Sequence, residues 1–239
     1  MTPELVETVG SGRGGRHHRV LEAVGHLPLG LALGTLHRQT WFTRRFLCLR
    51  ADLHALPAPT IAAIRTVMEP RGRDFDGFER ELSRADGTDW LESFVRSRML
   101  EAGIPTLYAA CVGDGEPIYC QWLVRAKDWP LLDAHKPGRY APLADDEVIL
   151  ENAFTFSRYR KLGTMSDGMG QLLRIAAEGG ATSALTYVAE DNLASLKGCH
   201  RVGFELHRVR ENTRRPWGRT SMFRPIDELA REAWRRAAA

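Results

Sequence analysis

The sequence predicts a mixed α/β fold, a sheet with helices on both faces. Three observations carry this. Apolar segments of strand length alternate with segments of helical spacing along the chain. Two strand-like segments, TLYAACV and IYCQWLV, flank the turn sequence GDGEP and read as a hairpin. A third, EVILENAFTF (147–156), is apolar on both faces, as a central strand covered from two sides must be.

The elements follow in order. Residues 1–16 are rich in Gly and Arg and read as a disordered tail. Residues 17–44 have helical apolar spacing broken near Pro28 and Gly30. With Arg38, Arg44 and Arg45 nearby, residues 17–45 could lie on a membrane surface, but packing on the chain's own domain is preferred. RFLCLRADL (45–53) reads as a strand, and HALPAPT as a linker because its prolines oppose any regular element. This sets an N-terminal extension at 1–55, a domain over 56–226 and a terminal helix over 227–239. IAAIRTVM (61–68) fits a strand and a helix equally. Phe75, Phe78 and Leu82 predict one helix; Trp90, Leu91, Phe94 and Val95 form a face of a second, ended by Gly103 and Pro105. After the hairpin and 147–156 comes SRYRKLGTMSDGMGQLLRIAAEGG. In it Met169, Leu172, Leu173 and Ala176 follow the i, i+3, i+4, i+7 pattern, and Gly179-Gly180 closes the helix. SALTYVA (183–189) is a strand, NLASLKGCHRV a short helix capped by Asn192. GFELHRVR and TSMFRPI are strands joined by a basic loop, NTRRPWGRT (212–220), and DELAREAWRR is a surface helix.

Composition narrows the classes. A length of 239 residues suits one sizeable α/β domain, alone or with an extension. With 44% hydrophobic and 26% charged residues the chain is a folded globular type whose core needs no disulfide or metal staple. A net charge of +3 gives no reason to expect a nucleic-acid partner. Only four of the 33 basic residues are Lys, an excess of Arg that coding bias explains as well as phosphate binding does. Cys48, Cys111, Cys120 and Cys199 show no zinc spacing, so no metal is expected. Cys111 and Cys120 flank the hairpin turn and could face each other as a disulfide; two thiols in a reducing cytosol are preferred. No signal-peptide pattern is present, and the apolar run LPLGLALGTL has ten residues, too few to span a bilayer, so a cytoplasmic location is expected.

Glycines before a helix invite an anion. A helix N-terminus exposes unpaired N–H groups and partial positive charge, and glycine lets a ligand approach the backbone closely. A phosphate or pyrophosphate is thus one use of the loop, a flexible connection the other. A P-loop is excluded because Gly168 is followed by Met169, not Lys, and a dinucleotide fingerprint because Gly168-Met169-Gly170 comes late and lacks its third glycine.

The segment 147–204 resembles the GNAT superfamily of N-acyltransferases, whose central strand is followed by [RQ]xxGx[GA], a helix, a strand, an Asn-led helix and a Gly-Phe pair. TFSRYRKLG, GMGQLL and LTYVAEDNLASLKGCHRVGF supply these parts. The upstream hairpin and helices extend the resemblance to 61–226; it favours the strand reading of 61–68 and leaves 1–55 outside.

The resemblance implies a mostly antiparallel central sheet with two splayed central parallel strands, 147–156 and 183–189. It implies acetyl-CoA or another acyl-CoA as donor and an amine, a small molecule by preference, as acceptor. Arg160 to Gly163 match the first half of the loop motif, but Met165 stands where Gly or Ala is usual. An insertion of about five residues would reconcile this, with pyrophosphate held by amides of Gly163, Met165, Ser166, Asp167, Gly168, Met169 and Gly170, and charge from Arg160. A backbone N–H among Phe154, Thr155 and Phe156 would polarise the thioester carbonyl; such a donor is worth roughly 3–4 kcal/mol. Asn192 and Ser195 could touch the pantetheine or cap their helix. Glu151, a charge in an apolar strand, is the candidate base for an amine whose free pKa is near ~10, with Glu147 as fallback. Cys199 stands where many members have a Tyr acid, and is either that acid or a buried filler; His200 and Tyr187 are further acid candidates. Trp122 and Tyr119 could line the acceptor cleft or pack core. Three other readings stay open: a silent acyl-CoA-binding module, transfer from an acyl carrier protein docking on the basic stretch 210–219, and a structural α/β domain whose glycines are incidental. The first 55 residues could cover the acceptor, build a homodimer or touch a membrane.

Overall fold

The computed structural model describes residues 42–59, 62–64, 66–84, 87–113, 115–215 and 218–239. The chain begins there with β1 (Phe42–Asp52), the short β2 (Glu69–Arg71), α1 (Gly77–Leu82) and α2 (Gly87–Glu101). The hairpin β3 (Leu107–Val112) and β4 (Glu116–Arg125) follows, then α3 (Trp129–His135), β5 (Glu147–Thr155) and α4 (Thr164–Glu178). β6 (Ser183–Ala189), α5 (Leu193–Arg201), β7 (Glu205–Arg215), β8 (Gly218–Arg224) and α6 (Glu228–Ala238) complete it.

The eight strands form one sheet in the order β2-β3-β4-β5-β6-β1-β7-β8. β5 and β6 run parallel; the other neighbours are antiparallel. Strand residues alternate between the two faces. Val148 and Leu150 join Leu47, Leu49 and the apolar sides of α4, α5 and α6; Ile149 and Trp122 join Phe78 of α1, Met99 of α2 and Leu132 of α3. Helices therefore cover both faces, as predicted. None of the described helices is long and apolar enough to cross a membrane.

Several expectations change. The division at 55/56 cuts through the sheet: β1 is not an appendage but lies between β6 and β7, pairing Asp52 with Ser183 and Phe42 with Arg214. Residues 42–44, read as the end of a helix, start this strand; the tail at 1–16 and the rest of the predicted helix lie outside the described residues. Of the strand favoured for 61–68, the described residues 62–64 and 66–68 form none. There the chain spends its polar groups on α4 and the turn before it instead of a ladder: Thr66 N–H donates to Asp167, Met68 N–H to Gln171 Oε1, and Ala63 N–H to Leu162 O. The predicted loop 212–220 is mostly strand, with β7 reaching Arg215 and β8 starting at Gly218. In α2 the buried side turns towards Met99 and leaves Val95 45% exposed. The unforeseen α3 carries a proline in its first turn, which a helix tolerates because that N–H is unused anyway. Cys111 pairs in register with Pro117 and Cys120 with Ala109, so the two do not face each other, and both are free thiols.

Candidate active site

β5 and β6 stay in register for three pairs, from Glu147–Ser183 to Ile149–Leu185, and then part. Thr186 Oγ1 still reaches Leu150 O at 2.8 Å; beyond it the strands diverge. A bulge helps β5 to leave. Asn152 has φ +56°, and two residues intervene between Glu151 and Phe154 where β4 has one between Trp122 and Cys120. The bulge keeps Ile149, Glu151, Phe154 and Phe156 on one face despite their uneven spacing. The slot between the parted strands is the feature on which the site is built.

Beside it stands the start of α4. Gly163 is the cap with φ +81°, a conformation that costs other residues strain. The first helical bond is Asp167 N–H to Gly163 O, which leaves the N–H groups of Thr164, Met165 and Ser166 without intrahelical acceptors. The expected five-residue insertion is absent, because the helix starts directly after Arg160–Gly163. Gly168, Met169 and Gly170 lie inside it, where their N–H groups serve the helix, so they drop out as phosphate donors. Gly168 has another use: a Cβ there would sit 2.5 Å from the Tyr119 ring, so glycine lets α4 lie against β4. Met165, the oversized motif residue, points its sulfur at Gly198 of α5, whose missing side chain accommodates it. Asp167 turns away to Thr66, and Thr164, absent from the sequence-based set, joins the open amides.

Along the slot, Phe156 N–H donates to Ile118 O of β4. Strand alternation points Phe154 N–H the same way and Thr155 N–H towards the slot, so of the predicted three only the Thr155 N–H faces it. The carbonyls on this side are taken. Arg96 of α2 donates to Asn152 O and Ala153 O while lying 4.4 Å over the Phe154 ring, and Arg160 donates to Thr155 O. Arg160 also pairs with Asp89 at 2.7 Å, so its charge is already partnered.

Glu151 is 8% exposed and faces the side covered by α3. Its Oε1 accepts from Tyr140 Oη at 2.5 Å and Lys136 Nζ at 3.0 Å; among the described residues no hydrogen bond falls on Oε2. Burial would raise its pKa, but the Lys136 charge and the two hydrogen bonds outweigh that and hold the carboxyl below its ordinary value. Tyr140 packs edge-on against Tyr187 of β6, 5.3 Å between centroids, so both parted strands contribute to this wall. Glu147 pairs instead with Arg50, at the opposite end of the strand.

Cys199 is a buried filler in the packing: it is fully buried with its sulfur 4.0 Å from Met169 Sδ, and burial pushes its thiol up to about 12, a poor match for protonating a leaving thiolate. His200 packs at a tilt against Trp234, 5.4 Å between ring centroids. Tyr187 accepts from Ala141 N–H and is held protonated by burial. Asn192 caps α5 by accepting from Ser195 N–H, which accounts for both residues structurally. Trp122 and Tyr119 are fully buried core residues. No group of side chains fit to hold a metal ion occurs among the described residues.

Neither a family model nor a curated protein sequence matches the chain. Solved structures do. The GCN5-related glucosamine N-acetyltransferase region of a fungal multi-domain GH3 β-N-acetylglucosaminidase matches 74% of this chain at a TM-score of 0.50 and 14% identity. The chain has the GCN5-related N-acetyltransferase (GNAT) fold. Two bacterial proteins are also similar to it. One is a GNAT-family acetyltransferase from Colwellia psychrerythraea, over 73% of this chain at TM-score 0.47 and 11% identity. The other is a GCN5-related N-acetyltransferase from Sphaerobacter thermophilus, over 83% at 0.47 and 13%. The chain spans 57% and 58% of the lengths of these two and 22% of the fungal protein. The parted β5 and β6 are the parallel strands expected of a GNAT fold.

Proposed function

We propose that this protein is an N-acyltransferase that moves an acetyl or other acyl group from a CoA thioester to a primary amine. One observation carries the reading: two parallel strands, in register for three pairs, part beside a helix N-terminus whose first amides are open. The amides of Thr164, Met165 and Ser166 fit a diphosphate, with Gly163 allowing close approach. Thr155 N–H, directed into the slot, fits an acyl carbonyl or a pantetheine amide. The thioester supplies an activated carbonyl; the protein aims a main-chain donor at it and brings an amine to its other side. Glu151 Oε2 is free to accept a hydrogen bond from that amine and, directly or through water, its proton. The depressed pKa makes Glu151 a weak base but keeps it ionised, so it attracts an ammonium before the proton leaves.

A second reading, a silent acyl-CoA-binding module, is favoured by Cys199, which stands where many members of the family have a tyrosine acid and is fully buried. Thiol release from acetyl-CoA over a panel of amines separates the two. An acyltransferase releases thiol in an amine-dependent way. A binder gains thermal stability with CoA and releases none. If CoA neither stabilises the protein nor is turned over, both readings fail.

A further inference from the structure

Next to Glu151 lies an unbalanced group of buried charges. Arg210 of β7 is 3% exposed, and its guanidinium is packed against three rings: Phe46 at 4.4 Å, Tyr187 at 4.8 Å and Tyr140 at 5.7 Å. Its NH1 donates to a carbonyl, Arg139 O; its Nε has no partner, and neither has the buried Nε of Arg139. No carboxylate is within ion-pair distance of either arginine among the described residues. Buried guanidinium groups are ordinarily paired with an anion, because an unpaired buried charge is among the costliest features a fold can hold.

The surroundings do not supply that anion. The charged groups acting on Arg210 are Glu151 and Arg139, and the Glu151 carboxylate is already bonded by Lys136. Lys136, Arg139 and Arg210 thus outnumber the one carboxylate. His135 reports the same surplus: burial and the charges of Lys136 and Arg139 favour its neutral form. The cover over this cluster is a single segment, residues 136–146 between α3 and β5, with Gly138 at φ +65°. It is pinned by polar contacts: Lys136 and Tyr140 on Glu151, Ala141 N–H on Tyr187, and the Arg139 carbonyl on Arg210. A backbone carbonyl there holds the place a carboxylate would fill better.

We propose that Arg210, together with Arg139, is an anion site for the acceptor, so that the amine this protein takes carries a carboxylate of its own. The proposal rests on the acyl-transfer reading for its function. The amine meets Glu151 Oε2, and the carboxylate displaces the Arg139 carbonyl from Arg210, with residues 136–146 shifting to admit it. The balance of charge explains the pairing: an amino acid brings one cationic group to Glu151 and one anionic group to the surplus cations.

Calorimetric titration of the full chain, with CoA present and absent, tests this using glycine, β-alanine and 4-aminobutyrate against glycinamide, β-alaninamide and 4-aminobutyramide. At least one carboxylate should bind about tenfold more tightly than its amide. Arg210→Met should abolish that preference. Arg139→Ala, which alters a loop rather than the sheet, provides the second variant if the first does not fold, and should reduce the preference while raising KM more than it lowers kcat. Equal binding of acids and amides, no binding by either series, or a preference that survives in folded Arg210→Met or is undiminished in folded Arg139→Ala overturns the proposal. Acetyl transfer to acids and amides alike would remove the anion site and leave acyl transfer standing. Carboxylate binding without thiol release under any condition would do the reverse.

Discussion

The two oxygens of Glu151 have different company: Oε1 is held by Lys136 and Tyr140, while Oε2 is left for a substrate. Glu151→Gln should lower kcat/KM by roughly 100-fold or more, the scale of a lost proton acceptor. It should also make stability less dependent on acid pH. The folded pKa of Glu151 lies below its ordinary value, so its contribution is complete above about 4.3 and lost as pH falls through the lower folded value. Urea midpoints measured from pH 2.5 to 7 should therefore separate wild type from Glu151→Gln at neutral pH and bring them together in acid. A gap that widens in acid would contradict this ion pair. A lone glutamate in an apolar strand marks the residue in the sequence; its partners do not show there. Lys136 and Tyr140 sit in a proline- and glycine-containing connection whose side chains reach Glu151 only because α3 returns the chain to that face.

At the scale of the element, α4 shows how one glycine pattern can serve two purposes. Gly163 caps the helix in the left-handed region, and Gly168 lets the helix lie against Tyr119. Gly168→Ala should therefore destabilise by about 1–3 kcal/mol through overpacking, read from chemical denaturation, while CoA binding in the folded fraction is kept. A loss of CoA binding without loss of stability would return Gly168 to the ligand. The apolar periodicity of α4 is legible from Met169 onward, but its first turn, Thr164 to Asp167, extends it by one residue only, Met165, which the loop motif claims for phosphate binding. The start was therefore set too late, and the loop motif 160–163 was the better guide to it. The bulge at Asn152 was equally hidden, since a strand's sequence does not record the residue it fails to pair.

For the whole molecule, the decisive strand is β1. Leu47, Leu49 and Ala51 are fully buried, and Arg45 binds Glu190 and Asp227, tying the strand to the turn after β6 and to the cap of α6. A chain starting at residue 56 should fail to fold, because it would open β6 and β7 and uncover the core on that face; circular dichroism and gel filtration would show it. A folded, CoA-binding 56–239 fragment would contradict the sheet order. The sequence alone determined the hairpin, the central strand at 147, the strand at 183 and the glycine-led helix between them, because periodicity and turn chemistry are local properties; it left out α3 and misread 42–44 and 212–220. Tertiary structure alone decided where β1 inserts, where β5 and β6 part, and which cations surround Glu151 and Arg210. Those outcomes join residues tens to more than a hundred positions apart, and strand pairing and charge burial at such separations are fixed by the packed sheet, not by any neighbouring run of residues.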